Sequence, residues 1–324
     1  MLLKDNFGRT INYLRIGITD RCNLRCRYCM PEEGIDFSTR TEILRYEEIL
    51  RLASIFSKLG INKIRLTGGE PFVRKDIAYL IKNLVKIIPD LYITTNATLL
   101  KENIETLRSS VKGLNISIDS LDRSNFMLIT KRDSFDKVYS NILLCKQEGI
   151  PVKLNMVVLK GINDHEIPAF LNFGLQHKIE VRFIEAMPFN DFDGNHKYFI
   201  SATEIKEIIK KHFPSIRQDN SRPHSAANEF ILEETLRLGI IPAYSRTLCG
   251  SCNRVRLTPT GKMLTCLYSR SGLDLRELLR DNNISDNDIS EFIKGAVQKK
   301  KKNGFLEEPS NGTQVFESMT TIGG

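Results

Sequence analysis

Two groups of cysteines dominate the chemistry this chain can do. Cys22, Cys26 and Cys29 stand in the spacing C-x3-C-x2-C, and Cys249, Cys252 and Cys266 in C-x2-C-x13-C. Three thiolates can bind three irons of a [4Fe–4S] cubane and leave the fourth iron open to a ligand. A structural zinc site is closed by four ligands instead, and no histidine lies near the first triad in sequence. The first triad therefore points to a cluster with an open iron. In the second, C-x2-C alone occurs in zinc ribbons and redox motifs alike, and His224 or a more distant residue could complete a zinc site. The missing fourth cysteine favours a second cluster. Cys145, the seventh, lies among Ile142, Leu143 and Leu144 and reads as a core thiol on a helix.

A second unusual set is basic and lies within strand-like segments. Arg15 shares a strand face with Gly17 and Thr19, and Lys63 and Arg65 share one with Thr67. Arg182 falls inside a later strand, Lys160 follows another, and Arg254 and Arg256 alternate beside the second triad. Strands covered by helices on both faces are normally apolar, so so much positive charge implies a polar cavity. Convergent guanidinium groups bind a polyphosphate by charge-assisted hydrogen bonds, each worth about 1.5–3 kcal/mol. Other polar groups join them: Thr94, Thr95 and Asn96 end one strand, and Asn115, Ser117 and Asp119 alternate on another. In Gly68-Gly69-Glu70-Pro71, the glycines allow close backbone approach and the carboxylate can accept from an ammonium group.

The elements that must position these residues follow a regular rhythm. Strand-like segments at 12–18, 61–67, 91–95, 113–118, 152–158 and 179–185 alternate with helix-like ones at 45–58, 76–87, 99–108, 134–148 and 165–176. Ile49, Leu52, Ala53 and Phe56 mark the apolar face of the first helix. About six β–α units imply a parallel sheet. An open or partial TIM-type barrel is expected, with a doubly wound sheet as the alternative. Residues 1–190 form one region on this reading. Residues 191–324 form a smaller, loop-rich one, with a helix at 201–212.

The chain has 324 residues and a net charge of +8, which favours an anionic partner, either nucleic acid or a small polyphosphate. The run Lys299–Lys302 reads as a solvated segment. No apolar run reaches the roughly 18 residues of a membrane span, and residues 1–10 lack a signal-peptide core. A cytoplasmic protein with reduced thiols is expected.

Longer motifs place the chain in a family. C-x3-C-x2-C with Tyr28 before its last cysteine, together with Gly68-Gly69-Glu70-Pro71, resembles the radical S-adenosylmethionine (SAM) enzymes. TDRCNLRCRYCMP (19–31), KIRLTGGEP (63–71), RFIEAMP (182–188), CGSCNRVRLTPTGKMLTC (249–266) and the terminal Gly323-Gly324 resemble one group within them, the GTP cyclases that open molybdenum cofactor biosynthesis. The resemblance covers essentially the whole chain, although residues 221–242 match only loosely and Ala97 replaces the usual glycine.

This resemblance implies an incomplete (β/α)6 TIM-type barrel closed by a C-terminal iron–sulfur region. It implies two [4Fe–4S] clusters, the first on Cys22, Cys26 and Cys29 binding SAM and the second on Cys249, Cys252 and Cys266 facing the guanine. Tyr28, Gly69, Glu70, Ser117 and Met187 would contact SAM. Arg15, Arg65, Thr94, Lys160, Arg182, Arg254 and Arg256 would surround GTP, with Lys63 as a further candidate. The radical would take the ribose C3′ hydrogen, and C3′ would then bond to C8. The Gly-Gly tail would reach the active site. An electron donor and a downstream cyclic pyranopterin monophosphate synthase would be partners of a monomer or homodimer, without nucleic acid or membrane.

Two other readings stay open at this point. A peptide-modifying radical SAM enzyme would usually carry more C-terminal cysteines than the three found here. A zinc protein binding nucleic acid would show its basic residues on exposed helices or loops with interleaved aromatics. Here they lie in strands, and tryptophan is absent.

Overall fold

The architecture is that of a computed structural model, which describes residues 2–31, 34–187, 197–221, 225, 227–269, 271–307 and 318–322. Six strands pair in parallel and in chain order: β1 (Tyr13–Gly17), β2 (Lys63–Thr67), β3 (Asp90–Thr95), β4 (Gly113–Ser117), β5 (Val152–Val158) and β6 (Glu180–Glu185). The crossovers that parallel pairing requires carry α1 (Tyr46–Lys58), α2 (Ile77–Ile87), α3 (Ile104–Ser110), α4 (Arg123–Thr130), α5 (Phe135–Gln147) and α6 (Ile167–His177). The strand order never reverses, as it would in a doubly wound sheet.

Alternation along the strands shows why the sheet curls. On β5, Val152, Leu154, Met156 and Val158 are buried, while Lys153, Asn155 and Val157 are only half-buried. The apolar row packs under the helices, where Ile49, Leu52, Ala53 and Phe56 of α1 are buried as their spacing predicts. The other row, with Lys153 and Asn155, points to the opposite face of the sheet. A sheet with one apolar and one polar face suits a barrel wall, and the doubly wound alternative fails on this point.

The barrel wall is extended at both edges. Beyond β6 come α7 (Ala202–His212), β7 (Arg217–Gln218), β8 (Asn228–Leu232) and β9 (Leu236–Ile241), with β9 pairing in parallel with β6. Ser201 caps α7 by accepting from the Glu204 amide at 3.2 Å. Beyond β1 lies β10 (Arg254–Leu257), parallel to it, then β11 (Lys262–Leu264) and β12 (Leu273–Asp274), both antiparallel. Then follow α8 (Leu275–Arg280), α9 (Asp286–Gln298) and α10 (Met319–Ile322). The full order is β12-β11-β10-β1-β2-β3-β4-β5-β6-β9-β8-β7, one open sheet.

The second half of the chain is therefore not a loop-rich appendage, because its strands continue the barrel sheet. The 190/191 boundary falls outside the described residues. Among the described residues, no helix is long and apolar enough to cross a membrane.

Candidate active site

The first triad begins five residues after β1 ends, at the C-terminal mouth of the strands, where barrel enzymes place their chemistry. Its loop leans on α4, with the Arg25 amide donating to Thr130 O at 2.9 Å and the Arg27 amide to Ile129 O at 3.0 Å. Burial, then Cys22 and Asp119, push Cys29 up to about 12. Cys26 is raised by burial, Asp119, Cys29 and Cys22. The three sulfurs thus lie within one another's field. Tyr28 Oη donates to Asp119 Oδ2 at 2.8 Å, and Asp119 Oδ1 accepts from the Val157 amide at 2.8 Å. Burial raises Asp119 to about 6, against those two hydrogen bonds.

Gly68 and Gly69 are explained by close approach. The Gly69 amide donates to Thr19 O at 2.7 Å and the Glu70 amide to Arg21 O at 2.8 Å, zipping this loop to the segment before Cys22. A Cβ on Gly69 would lie 2.1 Å from Arg21 O, and one on Gly68 2.3 Å from Thr19 O. Gly68 also has φ +138°. Glu70 is almost fully buried and accepts from Phe72 N, Thr95 Oγ1 and Asn96 N at 3.1, 2.8 and 2.6 Å. Burial lifts its carboxyl to about 7, and these donors pull the other way. Its work in this structure is to fasten the loop to the end of β3. Asn96 in turn donates to Asn23 Oδ1 at 2.9 Å and Cys22 Sγ at 3.7 Å.

The second triad sits at the opposite end of the strands. Cys252 lies just before β10, whose Arg254 is in register with Tyr13, the first residue of β1. Cys266 follows β11, which runs antiparallel to β10 and so returns to the same end. Cys266 is raised by burial and feels Cys252, and Tyr268 feels both Cys266 and Cys249. A five-residue strand spans about 15 Å at 3.3 Å per residue, so one strand length separates the two triads. Among the described residues no three His, Cys, Asp or Glu side chains are gathered for a single metal ion. Cysteines that share a cubane each ligate a different iron, and two sets of three neighbouring, half-buried sulfurs fit such clusters.

Between the triads run two rows of cations. Arg254, Tyr13 and Lys63 are in register across β10, β1 and β2; above them Arg256, Arg15, Arg65 and Tyr92 are in register across β10 to β3. Arg65 Nε donates to Tyr13 Oη at 2.5 Å and Nη1 to Thr94 Oγ1 at 3.4 Å. Lys63 Nζ lies 4.4 Å from the Tyr92 ring centre and 5.1 Å from that of Tyr13. The crowding shows in the titration. Burial and then Arg256 hold Arg15 well below its usual value, and burial and then Arg254 bring Arg256 to about 10. Burial opposes the charge on Arg254 too, but Cys252 beside it raises the guanidinium above its usual value.

The remaining expected residues divide. Ser117, at the end of β4, is in register with Asn155, and Asn155 with Arg182. Arg182 is paired with Glu180 at 2.8 Å and Glu229 at 3.4 Å. Met187 packs against the buried pair Leu264 and Ile322, as do Leu267 and Met319. Lys160 is corrected. It lies past the end of β5, 55% exposed, paired with Glu204 of α7 at 3.3 Å. The inward lysine of that strand is Lys153, in register with Asn115 and paired with Glu180 at 2.7 Å. The alternation Lys153, Asn155, Val157 carried this signal, and the sequence reading passed over it, as it did Tyr13. Near the C-terminus, Ser318 Oγ donates to Cys29 O at 2.7 Å. Pro188, His224 and Gly323-Gly324 fall outside the described residues.

Known proteins resemble this chain along nearly its whole length. Residues 16–174 match the radical SAM superfamily model, and residues 179–306 match Molybdenum Cofactor Synthesis C. A GTP 3′,8-cyclase of Thermodesulfovibrio yellowstonii is 42% identical over 99% of this chain and 100% of its own. The chain belongs to the GTP 3′,8-cyclase family of radical SAM enzymes. The family member from Clostridium botulinum is 41% identical, with 99% of each chain covered. Molybdenum cofactor biosynthesis protein 1 of Dictyostelium discoideum is 41% identical over 93% of this chain, which spans 49% of that longer protein. The Streptococcus suis SuiB structure aligns with a TM-score of 0.65 over 98% of this chain and 78% of its own, at 14% identity, a likeness of fold alone. Radical SAM cyclases use SAM and iron–sulfur clusters, and the cysteines for them are present here.

Proposed function

We propose that the two rows of cations between the triads bind the triphosphate of GTP, and that this chain converts GTP to (8S)-3′,8-cyclo-7,8-dihydroguanosine 5′-triphosphate. The observation that carries this reading is the register of Arg256, Arg15 and Arg65 on neighbouring strands, with a thiol triad at each end. Cys22, Cys26 and Cys29 would hold the first [4Fe–4S] cluster and Cys249, Cys252 and Cys266 the second. With SAM bound to the first, the pair supplies a 5′-deoxyadenosyl radical for hydrogen abstraction at C3′.

The protein's own residues position and enclose. Arg15, Arg65, Arg254 and Arg256, with Lys63 and Lys153, neutralise the phosphates. Arg182 is held between Glu180 and Glu229 and presents the remainder of its fork to the same cavity. Thr94, already accepting from Arg65, retains its hydroxyl proton for the ligand. Gly69 and Tyr28 shape the SAM pocket, with Ser117 and Met187 at its rim and Glu70 holding its loop. The strand wall keeps water from the radical.

Residues 1–190 on this reading generate the radical, and 191–324 bring the second triad to the base of the barrel. The reaction takes an electron from a donor protein in a reducing cytoplasm, and a cyclic pyranopterin monophosphate synthase consumes the product. Anaerobic SAM cleavage with a chemical reductant tests the proposal. GTP alone among the nucleoside triphosphates should strongly promote 5′-deoxyadenosine formation; equal, slow cleavage with every nucleotide would refute the substrate assignment.

A further inference from the structure

The run Lys299–Lys302 is not uniformly solvated. Lys299, Lys301 and Lys302 are exposed, but Lys300 is only 3% exposed. Its amide closes the end of α9 on Val297 O at 3.0 Å, which turns the side chain inward. There Nζ donates to Arg254 O at 3.2 Å and to Thr265 O. Arg254 stands two residues after Cys252, and Thr265 directly precedes Cys266. One ammonium therefore ties together the two segments that carry these cysteines.

The third segment is tied to the same run. Arg9, its Nε on Asp5 at 2.5 Å, donates from Nη1 to Cys249 O at 2.9 Å and to Lys302 O at 2.9 Å, and from Nη2 to Lys301 O at 2.6 Å. The backbone around the second triad is thus clamped by two cations, Arg9 from outside and Lys300 from within.

Carbonyl dipoles alone are poor compensation for a buried ammonium, since removing such an ion from water costs several kcal/mol. Lys300 has no carboxylate partner among the described residues. Apart from Glu307, whose charge acts on Cys266, the nearby anions are the cysteine thiolates. A cluster on three thiolates carries net negative charge, so it is the missing counter-charge. Groups of this kind, outside the ligand set, tune the potential of a metal centre.

We propose that Lys300 is a positioning residue and counter-ion of the second cluster, whose charge stabilises the reduced cluster and raises its reduction potential. The proposal rests on the reading of the second triad as a cluster site. Removing the charge while keeping the volume should make that cluster harder to reduce.

The test uses the full chain with Cys22, Cys26 and Cys29 replaced by Ala, so that only the second cluster is built. Iron and sulfide are reconstituted anaerobically into this parent and into its Lys300→Met, Lys300→Gln and Lys300→Arg derivatives. Iron per chain is counted, and the cluster is titrated against potential with detection by electron paramagnetic resonance. A parent without iron would sink the cluster reading itself, before Lys300 is in question. With the parent loaded, Met and Gln should titrate at lower potential, or lose iron, while Arg stays near the parent. Met and Gln derivatives that match the parent in iron, spectrum and potential would overturn the proposal. So would equal damage in all three derivatives, which would make Lys300 a matter of packing rather than charge.

Discussion

Replacing Tyr13 by Phe tests the charge balance of the barrel interior. The Tyr13 phenol accepts from Arg65 at 2.5 Å. Burial raises its pKa, but Arg65, Arg15 and Lys63 outweigh burial and bring it down to about 7 from the usual 10. At pH 8 the free protein then holds phenolate over phenol by roughly ten to one. A triphosphate brought among the same cations repels that phenolate and returns its proton. Binding that takes up a proton weakens as pH rises above the free-site value. GTP affinity should therefore fall by up to about tenfold per pH unit above 7, about 1.4 kcal/mol. Tyr13→Phe has no proton to take up and should lack this fall. The phosphate group's own titration is common to both proteins and cancels in their ratio.

Anaerobic calorimetry at pH 8, in two buffers of different ionisation heat, gives the proton count directly. The native protein should take up close to one proton more than Tyr13→Phe. Equal proton counts, or an affinity ratio independent of pH, would refute the reasoning. For folding, the sign is that of a depressed acid. The contribution of this group is full above pH 10 and is lost as the pH falls through about 7.

The two lysines of the β5 region separate cleanly. Lys153→Ala should raise the KM for GTP by roughly 10–100-fold, the loss of one charge-assisted bond, whereas Lys160→Ala should leave kinetics within about fivefold, since an exposed pair contributes at most about 1 kcal/mol; steady-state assays decide. Gly69→Ala would place its Cβ against Arg21 O, so SAM binding measured by equilibrium dialysis should fall at least tenfold, and native-like affinity would mean that the loop contact is dispensable. Ala97→Gly should leave unfolding free energy within about 1 kcal/mol. Relief of φ +61°, about 1–2 kcal/mol, is offset by the loss of a buried methyl, about 0.8, and by a freer unfolded chain, about 0.4–1. A thermal-melt loss above about 2 kcal/mol would refute that balance.

Local patterns revealed the six barrel strands because each strand writes its two faces into alternate residues. Arg15, Arg65 and Arg256 could be assigned to one face from period two alone. What alternation cannot show is which strand lies beside which. That β10 pairs with β1, far away in sequence, makes three separate arginines into one row, and only the register of Arg256 with Arg15 reveals it. The same limit hid β7, β8 and β9. Their sequence is polar and turn-rich at its start, and their place on the β6 edge depends on a partner supplied from elsewhere in the chain.

Lys160 and Lys300 failed in the sequence for opposite reasons. Lys160 lies at the end of a strand, where alternation stops carrying information, and it turns to Glu204 outside. Lys300 lies in a run of four lysines, where composition predicts solvent for all. One helix end decides otherwise. The α9 cap on Val297 fixes the direction in which the next side chain leaves, and that direction leads under the second triad. Charge in this protein is thus placed by backbone geometry at element ends as much as by strand faces. Glu70 beside the first triad and Lys300 beside the second are buried charges that no local pattern announces.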